Sequence, residues 1–196
     1  MADDRLQELA EEYWEALLES SPTTATLLGD HRFDDRLEDL SETAEAAQRV
    51  RWTSILDRLG AIERADLSGE DVVTSGELEA ELSDAVAAID RRLVELQSDQ
   101  MTGFHIGLIQ SVPVMSAPDA GAATMLVERF RQIPRALDQA VARFLAGAAT
   151  GRTPPAICVA RSVNMIEGYL SSPLDADVFA TVAGPPDWDG EAAWRA

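Results

Sequence analysis

The sequence predicts an all-α fold, a bundle of about six to eight helices that includes a long αα-hairpin. Three observations carry this. Hydrophobic residues make up 46% of the 196 positions while aromatics make up only 6%. Long stretches are rich in Ala, Leu, Glu and Arg, which are strong helix formers. Apolar residues recur at steps of three and four over most of the length, the spacing of one helix face.

The first such stripe is Leu6, Leu9, Ala10, Tyr13, Trp14 and Leu17, with Glu8, Glu11, Glu12 and Glu15 on the other face. Tyr13 and Trp14 are expected in the core. Ser41-Glu42-Thr43 opens a second long helix, whose expected buried stripe is Val50, Trp52, Ile55, Leu59 and Ile62. Ser68 with Asp71 three residues on is a capping-box pair that starts a third helix. Its apolar positions run from Leu78 through Leu82, Ala85, Val86, Ile89 and Leu93 to Leu96. The run is too short for a coiled-coil strand, so it is expected to pack back on the second helix.

From Ser98 to Asp119 the pattern changes to a buried loop or short irregular helix with two glycines and few charges. His105 lies here and is expected to be a hydrogen-bonded core residue. A helix begins at Ala117-Pro118-Asp119, and Pro134 kinks it or starts a new one. Leu137, Val141, Phe144 and Leu145 continue an apolar face to Gly147, and Ile157, Ala160, Val163, Ile166 and Tyr169 mark the next helix. Cys158 reads as a small buried hydrophobe. Ser172-Pro173 is expected to cap a last helix through Val182. The predicted organisation is one helical domain over 1–183, then a Pro/Gly-rich linker and the start of a further helix over 184–196. A helix that has barely begun at Glu191–Ala196 suggests a longer protein cut at this point.

The net charge is -19, from 35 acidic residues against 16 basic ones, all of them arginine. So acidic a surface repels phosphate backbones and anionic headgroups, which excludes nucleic acid and membrane surfaces as expected partners. One cysteine permits no internal disulfide. With no apolar leader or transmembrane run, a cytoplasmic location is the default expectation.

Chemistry is concentrated in one stretch. Pro22 fits the first turn of a short helix capped by Ser20 or Ser21, and Gly29 ends it. Gly29 to Arg36 then carries three aspartates, two arginines and one of the two histidines. On residue types alone this reads first as a helix C-cap whose polar side chains tie a loop to neighbouring backbone. Elsewhere the phosphate-loop, dinucleotide and nucleophile-elbow patterns are missing.

The order Pro22, Ala25-Thr26, Gly29, His31, Asp34, Leu37, then Asp39-Leu40-Ser41, resembles the start of the bacterial domain of unknown function 885 (DUF885) family. Arg129-Phe130-x-x-Ile133-Pro134, followed by Leu145-x-Gly147-x-x-x-Gly151-x-x-x-Pro155, is similar to that family's middle segment. The resemblance implies a mostly helical protein about three times as long, related to zinc-dependent peptidases. Its His-Glu-x-x-x-x-His-type motif would lie beyond the matched region. Zinc is therefore implied for the full-length family and no cofactor is expected in this chain, whose own histidines form no such pair.

The expected function is the N-terminal noncatalytic helical half of a metallopeptidase-like hydrolase, forming one wall of a peptide-binding groove and inactive alone. Gly29, His31, Arg32 and Asp34 are the candidate substrate-binding residues; no catalytic or metal-ligating residue is expected. The expected partners are the missing C-terminal half and a peptide. A second copy joined through an exposed apolar face is a further expected partner, and the alternative function is a stand-alone helical protein-interaction module without catalytic activity.

Overall fold

The computed structural model describes residues 4–186, 188–190 and 192. Among them are eight α-helices and no strand, as an all-α bundle requires. None of the helices is long and apolar enough to cross a membrane. The chain divides into two compact units, one of Met1–Ser20 with Asp39–Leu93, the other of Ser21–Glu38 with Val94–Ala196. The helix start expected over Glu191–Ala196 lies, apart from Ala192, outside the described residues.

The first unit is a three-helix arrangement of α1 (Asp4–Ser20), α3 (Glu42–Gly60) and α4 (Gly69–Asp90), each packed on the other two. The periodic residues do what their spacing demands. Leu6, Leu9, Ala16, Trp52, Ile55, Leu59, Leu78 and Leu82 form one buried cluster. Tyr13 stacks on Trp52 at 5.4 Å between ring centres. Ser41 accepts from the Ala44 amide at the head of α3. At the head of α4, Ser68 and Asp71 form the full reciprocal capping box. Arg58 pairs with Glu12, Arg51 with Glu19 and Arg49 with Asp90, all at the exposed surface. Such exposed pairs are screened by solvent and lose side-chain freedom in forming, so the apolar cluster holds this unit together.

Three expectations fail here. Trp14 is exposed, lying off the helix face that carries Leu6, Leu9, Tyr13 and Ala16. Val50 is exposed too, lying off the face that buries Trp52, Ile55 and Leu59. The α4 helix stops at Asp90 instead of running to Leu96. Arg92 takes the left-handed conformation (φ 54°), and Leu93–Leu96 is a 3₁₀ turn.

The second unit contains α2 (Pro22–Leu27), α5 (Phe104–Ser111), α6 (Ala120–Phe130), α7 (Ile133–Ala149) and α8 (Ala156–Leu170). Asp119 caps α6 by accepting from the Ala122 amide, and Pro134 sits in the first turn of a fresh helix, where its missing N–H leaves no gap. One core cluster joins Met115, Ala117, Ala123 and Leu126; another joins Leu37, Leu108 and Ala136.

On α7 the buried face is Ala136, Ala140, Arg143 and Gly147, while Leu137, Val141 and Leu145 are exposed, the reverse of the expected stripe. Close approach fixes one point of this face: a Cβ at Gly147 would fall 2.9 Å from the Glu95 Cβ, while Arg143 is buried on the same face. Glu95 itself is buried and pairs with Arg152 Nε at 3.0 Å.

The helix expected from Ser172 to Val182 is replaced by two 3₁₀ turns, Leu174–Ala176 and Val178–Thr181. Asp177 explains the break. Its carboxylate accepts from the Phe179 amide, which starts the second turn, and from the Tyr169 hydroxyl at 2.7 Å. Burial and this bond push the Tyr169 hydroxyl up to about 12. The shift is upward, so its stabilising contribution is whole below the ordinary tyrosine value of about 10 and is lost as pH rises through 12. A tyrosinate absorbance titration is expected to show a late step that Tyr169→Phe removes. A late step retained in Tyr169→Phe would assign it to Tyr13, whose hydroxyl is also raised by burial.

Candidate functional site

The site begins with the end of α2. Ser21 precedes the helix, and Pro22 occupies its first position. Gly29 then takes φ +84°, a conformation that L side chains rarely adopt, and turns the chain out of the helix. Asp30 caps the 3₁₀ turn His31–Phe33, its carboxylate accepting from the Arg32 amide. A 3₁₀ turn has three residues per turn, so positions three apart eclipse. Hence His31 and Asp34 meet, with Nδ1 2.8 Å from Oδ2.

Asp34 points inward. Its Oδ1 accepts from Thr26 Oγ1 at 2.6 Å and from Arg129 Nη2 at 3.3 Å. Arg129, in the last turn of α6, is completely buried. The same Nη2 donates to the Phe33 carbonyl at 2.9 Å and the Pro22 carbonyl at 3.3 Å, whereas Nε and Nη1 have no hydrogen-bond partner. Burial lowers the Arg129 pKa, opposed by the negative charges of Asp34, Glu38 and Asp35. One turn on, Gln132 Nε2 donates to the Asp35 carbonyl and Gln132 Oε1 accepts from the Leu37 amide. Glu38 in turn accepts from the Thr23 amide and hydroxyl. The turn is thus tied to α6 on one side and to α2 on the other.

Facing solvent, the turn presents an imidazole and two guanidinium groups. The His31 side chain is 59% exposed although its Asp34 partner is buried. Arg32 lies 5.2 Å and Arg36 5.5 Å from the Phe33 ring centre. The Arg32 fork is engaged by Asp30, with Nη2 at 2.6 Å from Oδ2. That side-chain contact and the Arg32 amide hold the Asp30 carboxyl below its usual range. With a carboxylate at Nδ1, the ring carries its proton there, and Nε2, on the opposite side, is the nitrogen turned away from Asp34.

The four candidate residues therefore meet in one turn and differ in part. Gly29 shapes it, Asp34 orients His31 from within, and His31 and Arg32 face outward. Arg129 and Thr26 were not singled out as site residues from the sequence. A signal for Arg129 exists: Ala123, Leu126 and Arg129 follow one another at three-residue steps on the buried face of α6, so an arginine stands where the pattern calls for an apolar side chain. The second histidine, expected to be hydrogen-bonded, is half-buried on α5 with Nε2 enclosed and without a partner.

Among the described residues no three His, Cys, Asp or Glu side chains converge as a metal ion would need. Asp34 is already engaged by Thr26, Arg129 and His31. The zinc that the resemblance implies finds no ligand set among the described residues.

Removing one partner of a buried pair strands the other charge, at about 3–5 kcal/mol. Arg129→Ala is expected to cost that much in denaturant unfolding, and Asp34→Asn combined with it is expected to add much less than its separate effect. Full additivity of the two would show that the residues do not act on each other.

Comparison with curated proteins finds no match, and comparison with solved structures finds none. Residues 22–196, which contain both ends of the Arg129–Asp34 contact, match the family model described as bacterial protein of unknown function (DUF885), and the chain belongs to that family.

Proposed function

We propose that this chain is the noncatalytic helical part of a metallopeptidase-like hydrolase and that the Gly29–Asp34 turn holds a peptide at one wall of its groove. The peptidase relationship comes from the sequence resemblance. The observation that carries the binding role is the exposed His31 ring held at Nδ1 by a buried carboxylate. A surface histidine with no task gains little from such support; a histidine that must present Nε2 to a ligand needs its ring fixed.

In this reading Asp34 and Gly29 position, and His31 and Arg32 contact. On binding, the ring takes up a proton from solvent at Nε2 and donates it to a peptide carboxylate while Nδ1 stays with Asp34, and Arg32, anchored by Asp30, lies beside it. Zinc, if carried by the full-length protein, is bound outside the residues described here.

A second reading, a helical interaction module without catalytic activity, is favoured by a different observation. Val159, Val163, Ile166 and Leu170 recur at steps of four, three and four along α8 and are all exposed. That is a seam of the kind one helix offers another.

A bond to a charged group is worth about 1.5–3 kcal/mol, so His31→Ala is expected to weaken binding of a short peptide with a free C-terminal carboxylate by roughly tenfold or more. The amidated peptide should lose little. Equal affinity of wild type and His31→Ala for the free acid, measured by calorimetry, would sink the peptide-holding role and favour the module.

A further inference from the structure

In the first unit, α1 and α4 leave a groove of about 540 Å³ beside Trp14. Leu6 and Ala10 of α1 form its floor, and Asp71 and Thr74 line it from α4. Glu11 is followed by Trp14 and Glu15 three and four residues on, so these three side chains share one face of α1, and all of them line the groove.

Two costs meet on that face. The Trp14 indole is 46% exposed, standing beside a core stripe that is complete without it. Glu11 and Glu15 are like charges four residues apart, an arrangement that weakens a helix. A cation lying over the indole and between the carboxylates would relieve both, because it covers the ring face and offsets the repulsion.

Charge selects the occupant. The ionisable residues that line the groove are Glu11, Glu15 and Asp71, and no arginine is among the lining residues. The Asp71 carboxylate accepts from the Ser68 amide and hydroxyl, so it adds negative charge from one side, while Glu11 and Glu15 are exposed. Arg5 is the single basic residue of α1, against Asp4 and five glutamates. An anion is repelled here, and a wholly apolar partner would desolvate carboxylates without pairing them. A guanidinium suits every part of the wall: it stacks on an aromatic face, offers a fork to a carboxylate and lays its apolar stem on the floor. From Leu6 to Trp14 the groove follows α1 for about 12 Å, the span of about four residues of extended chain.

We propose that the groove between α1 and α4 binds an arginine side chain of a basic partner peptide, stacked on Trp14 and paired with Glu11. The proposal does not depend on the role of the His31 turn.

The test is a nitrogen-15 NMR titration of the whole chain with acetyl-Ala-Arg-Arg-Ala-amide and with its lysine and citrulline counterparts. The arginine peptide is expected to give saturable shifts at the Trp14 indole N–H and at the Ala10 and Thr74 amides. Citrulline keeps the shape without the charge and should bind at least about tenfold more weakly. Lysine keeps the charge without the flat stacking group and should fall between the two. Glu11→Gln and Trp14→Ala, both at exposed positions, should each weaken the arginine peptide by about two- to fivefold. Asp57→Asn, which removes an exposed charge of α3 outside the groove, should leave its affinity unchanged. Absence of saturable shifts, equal binding of the citrulline or lysine peptide, or affinity indifferent to Glu11→Gln and Trp14→Ala would overturn the proposal. So would equal weakening by Asp57→Asn, since the peptide would then be following the net charge of the protein and not this groove.

Discussion

The unit that carries the candidate site depends on the burial of one guanidinium group. Arg129 is removed from water entirely, and a charge so placed persists only where acceptors replace its hydration. Asp34, the Phe33 carbonyl and the Pro22 carbonyl supply them at Nη2 alone, from a segment 95 to 107 residues earlier in the chain. The two stretches that resemble the DUF885 family are thus the two sides of a single contact. One supplies the cation, and the other a loop folded so that its carboxylate and carbonyls turn inward.

From this constraint the exposed chemistry follows. The loop must present Asp34 to the interior, and the 3₁₀ turn that does so places His31 directly over it. Thr26 adds a hydroxyl to the same carboxylate, and Gln132 secures the strand of loop that follows. His31 is consequently held at one nitrogen and open at the other. Arg32 and Arg36 flank Phe33 on the same turn, and each is paired with an aspartate, Asp30 and Asp35.

Where contacts are local or periodic, the sequence is a good guide. The α3–α4 hairpin was legible from the spacing of Trp52, Ile55, Leu59, Leu78 and Leu82 and from the Ser68–Asp71 pair, because helix faces and caps are encoded within a few residues. The Gly29 to Asp34 turn could be located by composition and by resemblance, but the inward direction of Asp34 could not, since it is decided by a partner on α6 with no periodic signature. On α7 hydrophobicity pointed to Leu137, Val141, Phe144 and Leu145, yet the helix buries Ala136, Ala140, Arg143 and Gly147, the last of which approaches Glu95 too closely for a side chain, and leaves Phe144 half-buried. Large apolar residues are left outside on α7, and Val159, Val163, Ile166 and Leu170 form the exposed seam of α8. The 3₁₀ turns after Leu170 escaped for a similar reason: Asp177 satisfies local amide and hydroxyl donors instead of extending a helix.

The central claim is that a buried Arg129–Asp34 contact fixes the His31 ring with Nδ1 as donor and Nε2 as the outward nitrogen. Nitrogen-15 NMR of the imidazole at about pH 8, where an ordinary histidine is neutral, reads this tautomer directly. The predicted spectrum has the proton on Nδ1 in the wild type and a shift toward the tautomer mixture of a free histidine in Arg129→Ala. A proton on Nε2 in the wild type, or a spectrum that Arg129→Ala leaves unchanged, would contradict the account.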